Sequence, residues 1–212
     1  MDSLYAAFLD LRGRRVLVVG GGPVAARKAQ QVGAAGARIT LVAPHICREA
    51  EQAVREADGE VLRRQYESED VRGRWLVFAA TDDPAVNRAV SEDARRAGIF
   101  CNVADEAELC TFQAPAAFRR GLLQIAVSTG GACPVLAARI RRRLESTYGE
   151  GYDAVMEGLT DLRRHYKAKY PGDRRRREEM INAFLDATGL AIGMGRVDIE
   201  AFQRAVLEWK SR

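Results

Sequence analysis

The sequence predicts an α/β fold in which a doubly wound parallel sheet is followed by a small β region and an all-helical C-terminal region. Three observations carry this expectation. Between Arg15 and about Val103, short β-branched runs alternate with stretches of helical period, the pattern of a parallel sheet covered by helices. After Asp105 the alternation gives way to two short apolar runs around Arg119-Arg120-Gly121, which reads as a β-extension. From Pro134 onward the pattern is helical, with breaks expected at Gly149-Glu150-Gly151, Pro171-Gly172-Asp173 and Gly193-Met194-Gly195. These shifts divide the chain into residues 1–112, 113–148 and 149–212.

Within the first region the expected strands are Val16–Val19, Arg38–Val42, Val61–Arg64, Trp75–Ala79 and Phe100–Val103. Each is short, apolar and bounded by Gly or Pro, as suits burial on both faces. Helices are expected between them at Val24–Ala35, Ile46–Ala57 and Pro84–Ala97. Two further strands are expected at Leu109–Ala114 and Leu122–Val127.

The composition of the 212 residues, 47% hydrophobic and 29% charged, suits a packed globular chain rather than a disordered one. No run approaches the roughly 18 apolar residues that a bilayer-spanning helix needs, and the opening segment has no basic leader. A cytoplasmic protein without membrane attachment is expected. Cys47, Cys101, Cys110 and Cys133 form no C-x-x-C pair and read as free thiols. His45 and His165 lie at no metal-ligand spacing, so no resident metal is expected.

The net charge of +4 is unevenly spread. Residues 1–112 carry 15 Lys and Arg against 17 Asp and Glu, a balance of −2, whereas residues 113–212 carry 18 against 12, a balance of +6. Clusters at Arg139/Arg141/Arg142/Arg143, Arg163/Arg164/Lys167/Lys169 and Arg174–Arg177 could draw a polyanion; each also reads as a solvated helix face. Few aromatic residues interleave these clusters, and no nucleic-acid-binding motif is evident, so nucleic acid is not the expected partner.

Directly after the first expected strand stands Gly20-Gly21-Gly22-Pro23-Val24-Ala25-Ala26-Arg27-Lys28-Ala29, a G-x-G-x-x-A form of the dinucleotide fingerprint. Gly20 and Gly22 permit a tight turn and close backbone approach to a pyrophosphate, and Ala25 permits close helix–strand contact. Pro23 suits the first helical turn, and Val24 follows it where amide groups face an anion. This is the expectation for a Rossmann-type domain over residues 1–112. One departure follows: the second strand runs into Ala43-Pro44-His45, with no carboxylate for the ribose hydroxyls. Backbone at Pro44 and His45 is the expected substitute, and the choice between NAD and NADP stays open on this rule. Farther on, Ala80-Thr81-Asp82-Asp83-Pro84 closes a strand and starts a helix. Thr81 and Asp82 are expected beside the cofactor, with Asp82 and Asp83 also able to cap the helix.

Taken with Phe100-Cys101-Asn102-Val103-Ala104-Asp105 and Ala126-Val127-Ser128-Thr129-Gly130-Gly131-Ala132-Cys133-Pro134, these segments resemble the precorrin-2 dehydrogenase module of siroheme synthases. The resemblance implies oxidation of precorrin-2 to sirohydrochlorin with NAD as hydride acceptor and, in some members, insertion of Fe2+ to give siroheme. It also implies a homodimer, with residues 113–148 as the β dimerisation region. The methyltransferase domain of trifunctional members is not expected here. Asp105 matches the family's essential acid. A carboxylate within reach of the macrocycle can take the proton that leaves as hydride departs, so Asp105 is the expected general base; a turn-forming aspartate is the other reading. Ser128, Thr129 and Gly130 precede a helix and offer hydroxyl and amide donors to substrate carboxylates; they also read as a plain cap and glycine turn. Arg139, Arg142 and Arg143 lie within sequence reach of such carboxylates. A different class of function, a nucleotide-sensing regulatory domain, shares the glycine fingerprint but ordinarily keeps an acidic ribose ligand and gives Asp105 no role.

Overall fold

The computed structural model describes residues 4–189 and 197–211. It divides into two compact units, Met1–Ala114 and Pro115–Arg212.

The first unit is a five-stranded parallel sheet in the order β3-β2-β1-β4-β5, built from β1 (Arg15–Val19), β2 (Arg38–Val42), β3 (Glu60–Leu62), β4 (Leu76–Ala79) and β5 (Phe100–Val103). Helices α1 (Pro23–Ala34) and α2 (Arg48–Glu56) form the β1-β2-β3 crossovers, and α3 (Pro84–Arg96) links β4 to β5. The strands match expectation within one or two residues. Alternate strand residues feed two separate cores, the consequence of a period of two in a sheet covered on both faces. Val16, Val18, Ile39, Leu41, Leu76 and Phe78 pack with Ala25, Ala29, Ala50 and Val54 of α1 and α2. Leu17, Val19, Val42, Val77, Cys101 and Val103 pack with Val90 and Ala94 of α3. Small side chains on α1 let that helix lie close to the sheet, which brings its first turn to the carboxyl end of β1.

Between β3 and β4 a 3₁₀ turn, Ser68–Val71, replaces a crossover helix. Polar groups hold it in place. Arg64 donates to both oxygens of the buried Asp70 carboxylate, at 2.8 and 2.6 Å, and the Glu67 amide donates to the same group at 3.0 Å. Arg74 donates to the Asp70 carbonyl at 2.9 Å and to Thr40 Oγ1 on β2 at 2.8 Å, tying the turn to the sheet.

One expected strand is absent. Residues 109–114 form no strand; a 3₁₀ turn at Ala107–Leu109 occupies the start, and the hairpin lies farther on, pairing β6 (Ala116–Arg120) with β7 (Leu123–Val127) in antiparallel register. The apolar residues that suggested a strand serve the first unit's packing instead, with Phe112 edge-on to Phe78 at 5.5 Å. Thr111 and Phe112 still donate their amides to the Cys101 carbonyl, so the segment lies along β5 without forming a ladder.

In the second unit the hairpin is followed by α4 (Pro134–Thr147), α5 (Tyr152–Lys169), α6 (Arg174–Ala187) and α7 (Ile199–Lys210). The breaks near Gly149 and Pro171 fall as expected; the one at Gly193-Met194-Gly195 lies outside the described residues. Val155, Leu162 and Tyr166 of α5, Phe184 of α6, and Phe202 and Val206 of α7 form the core. Gly158 makes this packing possible, since a Cβ there would lie 2.7 Å from the Phe202 ring. No helix among the described residues is long and apolar enough to cross a membrane.

The Arg64 guanidinium holds the Asp70 carboxyl below the ordinary aspartate value of 3.8. A lowered folded-state value means the pair stabilises fully above that ordinary value and is lost as the pH falls through the lower one. Asp70→Ala is expected to lower the melting midpoint at neutral pH by roughly 4 °C. That deficit should shrink on acidification to about pH 3, as followed by circular dichroism.

Candidate active site

The site is assembled where strand order reverses. β1 and β4 lie side by side and their chains leave in opposite directions, which opens a crevice at the carboxyl edge of the sheet. Three loops meet there by backbone contact. Gly20 adopts φ 125°, in the region open to glycine, and a Cβ on it would lie 2.2 Å from the Ala80 carbonyl oxygen. A Cβ on Gly21 would lie 1.9 Å from the His45 carbonyl oxygen, and the Cys47 amide donates to the Gly21 carbonyl at 2.8 Å. The turn after β1 is thus clamped between the turns after β4 and β2. Of the residues expected to hold a cofactor, the structure brings Gly20, Gly22, Pro23, Val24, Pro44, His45, Thr81 and Asp82 to this one edge.

Gly22 differs from its neighbours. A Cβ on it would meet nothing within 4 Å, and its φ of −87° is ordinary, so the glycine leaves open space above the first turn of α1. Pro23 occupies the first helical position, no side chain caps the helix, and no acidic residue lies in its first turn. Free amides, the positive end of the helix dipole and an unfilled cradle fit a pyrophosphate.

The turn after β4 is held rigid by Asn87, a residue the sequence reading gave no role. Its Oδ1 accepts from the Thr81 amide at 3.2 Å and lies 2.8 Å from Thr81 Oγ1, while its Nδ2 donates to the Thr81 carbonyl at 3.0 Å. Asn87 is buried, and its position six residues beyond Thr81, one turn into a helix, is the signal that could have found it. Asp83 alone caps α3, accepting from the Ala85 amide at 2.8 Å; Asp82 takes no part, which corrects the expectation that both could do so.

Asp105 follows β5 on the same edge, exposed and in the left-handed conformation with φ 60°. Asp58 shares that conformation in the ordinary turn closing α2, so the backbone angle alone does not mark function; location does. The loop around Asp105 is stapled from below. Cys110 Sγ receives the Val103 amide at 3.2 Å and lies 3.3 Å from both the Val103 and Glu106 carbonyl oxygens; Asn102 Nδ2 donates to the Phe112 carbonyl at 3.1 Å. Burial pushes the neighbouring Cys101 thiol up to about 12, so it stays protonated as a packing group. All four cysteines are unbridged.

Lys28 is a second residue to which the sequence reading assigned no role. It lies half-buried on α1, with its ammonium 5.4 Å from the centre of the Phe78 ring. Burial lowers it from the ordinary lysine value, the Arg27 charge adds to that, and the Asp105 charge opposes it. Lys28 therefore puts a cation in the electrostatic range of Asp105.

In the second unit, Ser128, Thr129 and Gly130 form the turn between β7 and α4. Ser128 Oγ accepts from the Gly130 amide at 3.1 Å, and Thr129 Oγ1 accepts from the Cys133 amide at 3.1 Å. Neither residue caps α4: its N-cap is Cys133, with no side-chain cap bond, which corrects the reading of these residues as a cap. Of the α4 arginines, Arg141 is bound to Glu145, whereas Arg139, Arg142 and Arg143 are exposed. His165 is half-buried, its Nε2 shielded without a partner among the described residues. No group of three metal-binding side chains occurs among the described residues.

The parallel sheet, glycine turn and open helix end define an NAD(P)-binding α/β protein. Comparison places it more closely. The NAD(P)-binding family model matches residues 7–116, and the model of the sirohaem biosynthesis protein central region matches residues 120–147. A solved structure of SirC, precorrin-2 dehydrogenase, is 31% identical, covers 98% of this chain and 99% of its own, and superposes with a TM-score of 0.76. The siroheme synthase of Azotobacter vinelandii is 44% identical over 177 residues, and that of Pseudomonas putida W619 is 46% identical over 177 residues; each match takes in 84% of this chain. The chain spans 38% of the length of these two synthases. It belongs to the siroheme-biosynthesis family that includes precorrin-2 dehydrogenase.

Alanine substitutions separate the two uses of glycine in this turn. Gly21→Ala should lower both the melting midpoint and nicotinamide dinucleotide affinity, because its Cβ collides with backbone. Gly22→Ala should leave the midpoint within about 1 °C and weaken affinity at least ~10-fold, because it fills only the cradle. Thermal unfolding together with a dinucleotide fluorescence titration reads both.

Proposed function

We propose that the chain oxidises precorrin-2 to sirohydrochlorin with NAD+ as the hydride acceptor. The observation that carries this reading is the meeting of an open glycine cradle and the stapled Asp105 loop on one edge of the sheet. Similarity along its whole length to SirC, precorrin-2 dehydrogenase, supports it. In balance, the macrocycle loses a hydride and a proton, giving sirohydrochlorin, NADH and H+. The cofactor supplies the two-electron acceptor.

The protein's own groups do the rest. Gly20, Gly22, Pro23 and Val24 hold the pyrophosphate, Pro44 and His45 meet the ribose through backbone, and Thr81 and Asp82 border the nicotinamide side. NAD+ is proposed over NADP+ on the family resemblance; the turn Ala43-Pro44-His45 itself offers the ribose neither a carboxylate nor a permanent cation. Asp105 takes the proton. Its conformation matters here: aspartate and asparagine tolerate φ near 60° better than most residues, so the position can hold a fixed polar group. Ser128, Thr129 and Gly130 receive substrate carboxylates, the hydroxyls as donors. Insertion of Fe2+ into sirohydrochlorin would use the same carboxylate to accept pyrrole protons, with the metal as substrate. A purely nucleotide-sensing role gives the Asp105 carboxylate no part to play.

A homodimer completes the proposal, with the organisation of residues 1–112, 113–148 and 149–212 as nucleotide domain, β dimerisation region and helical domain. Helix α4 buries only Ala137 and exposes Val135, Leu136 and Ile140, while Leu122 stands exposed at the hairpin turn. Apolar groups clustered at the surface favour a partner.

Three experiments test these statements. With precorrin-2 and NAD+, the parent should form sirohydrochlorin and NADH, whereas Asp105→Asn should lose at least ~100-fold in kcat with dinucleotide affinity retained; unchanged turnover removes Asp105 from the chemistry. Adding Fe2+ to sirohydrochlorin, against a protein-free control, reads chelation in the same samples. Separately, the double variant Leu136→Glu with Ile140→Glu should sediment as a monomer where the parent sediments as a dimer.

A further inference from the structure

The second unit contains a recess that the proposed reaction does not use. It lies between α5 and α6, with a volume of about 890 Å³, and among the described residues five cations line it against a single acid, Glu178. On α5 the lining residues Thr160, Arg163, Arg164 and Lys167 stand at i, i+3, i+4 and i+7; on α6 Arg174, Arg177, Glu178, Ile181 and Asn182 stand at i, i+3, i+4, i+7 and i+8. Each helix therefore presents one continuous face to the recess.

The cations are unequally neutralised. Arg164 pairs with Asp161 at 3.0 Å and Arg174 with Glu178 at 2.7 Å, while Arg177 donates to the Tyr170 carbonyl at 3.2 Å. Arg163 and Lys167 have no acidic partner within salt-bridge distance among the described residues, although they stand one helical turn apart on the same face. Like charges at that spacing repel. The opposite face of α5, with Val155, Leu162 and Tyr166, already supplies the helical core, so Arg163 and Lys167 are not needed for packing.

We propose that the α5–α6 recess binds a small polyanion, a molecule bearing several carboxylate or phosphate groups close together. Its volume falls in the range of small-molecule sites, roughly 300–1,000 Å³. Guanidinium groups suit planar and tetrahedral oxyanions through paired N–H donors. The recess has no aromatic lining residue on which bases could stack, which disfavours single-stranded nucleic acid. This inference stands apart from the dehydrogenase reading, since none of its residues belongs to the nucleotide edge.

The test uses the full chain at physiological salt with two probes: uroporphyrin, an octacarboxylate read by fluorescence anisotropy, and tripolyphosphate, read by calorimetry. Arg163→Ala combined with Lys167→Ala removes two exposed charges. Arg48→Ala combined with Arg55→Ala removes the same charge from α2 as a control. Binding of either probe, weakened at least ~10-fold by the first pair and less than ~2-fold by the control, supports the site; the stronger probe distinguishes carboxylate from phosphate chemistry. Three results would overturn it: no binding of either probe, equal loss in both double variants, or a short duplex DNA displacing both probes at lower concentration. Circular dichroism of each variant confirms folding, and because both α5 side chains are exposed, folding is expected to persist.

Discussion

Backbone pressed against backbone at the carboxyl edge of the sheet is the constraint on which the nucleotide domain depends. Gly20 meets Ala80, and Gly21 meets His45, at distances no side chain could share. Hydrogen bonds from Gly20 to Val42 and from Ala80 to Val19 continue the strand ladder into these turns, so the contacts are extensions of the sheet rather than loose loops. The small residues of α1 belong to the same constraint. Ala25 and Ala29 are fully buried, and larger side chains there would lift the helix and carry its amide groups away from the edge. Local sequence, close packing and anion chemistry are thus satisfied by the same handful of residues.

The far side of the crevice is built differently, with side chains in place of close backbone contact. Asp105 leaves β5 in a left-handed conformation, and what fixes it is the return of the chain beneath it. Cys110, Thr111 and Phe112 satisfy backbone groups of Cys101 and Val103 that a sixth strand would otherwise have paired, and the Phe112 carbonyl also accepts from the Asn102 side chain. Unpaired buried amides are costly, so this return segment is needed for stability, and its fixed shape also fixes the carboxylate. Asn87 plays the matching part for Thr81. Both walls are therefore held by groups committed before any ligand arrives, a condition for positioning reacting groups.

This division explains what the sequence disclosed. Features governed by local rules were legible: the strands and helices of the sheet, the glycine turn, Pro23 at the helix start, and the position of Asp105 after β5. Features that depend on partners distant in sequence were not. Leu109–Ala114 has the composition of a strand, but its apolar residues are spent on Phe78 and β5, and no neighbour offers it a ladder. Asp82 and Asp83 are indistinguishable by residue type; only the geometry of the first turn selects Asp83 as the cap. Ser128 and Thr129 read as a cap because they precede a helix, yet the intervening Gly130 and Gly131, at φ 62° and 84°, set the helix start beyond their reach.

Charge shows the same limit from the other direction. The run Arg174–Arg177 is the most conspicuous basic feature of the sequence, but most of it is neutralised on its own helix: Arg174 pairs with Glu178, and Arg175 and Arg176 pair with Glu179. Arg204 and Glu200 repeat the arrangement on α7 at 3.8 Å. Such exposed pairs contribute little stability, and they cancel much of the local field. The quieter positions Arg163 and Lys167 keep theirs. A ligand responds to uncompensated charge held in a concave surface rather than to residue counts, because low-dielectric walls focus the field where solvent is partly excluded. The balance of +6 in residues 113–212 is therefore a poor guide by itself, and the orientation of individual cations on α5 and α6 determines where an anion would settle.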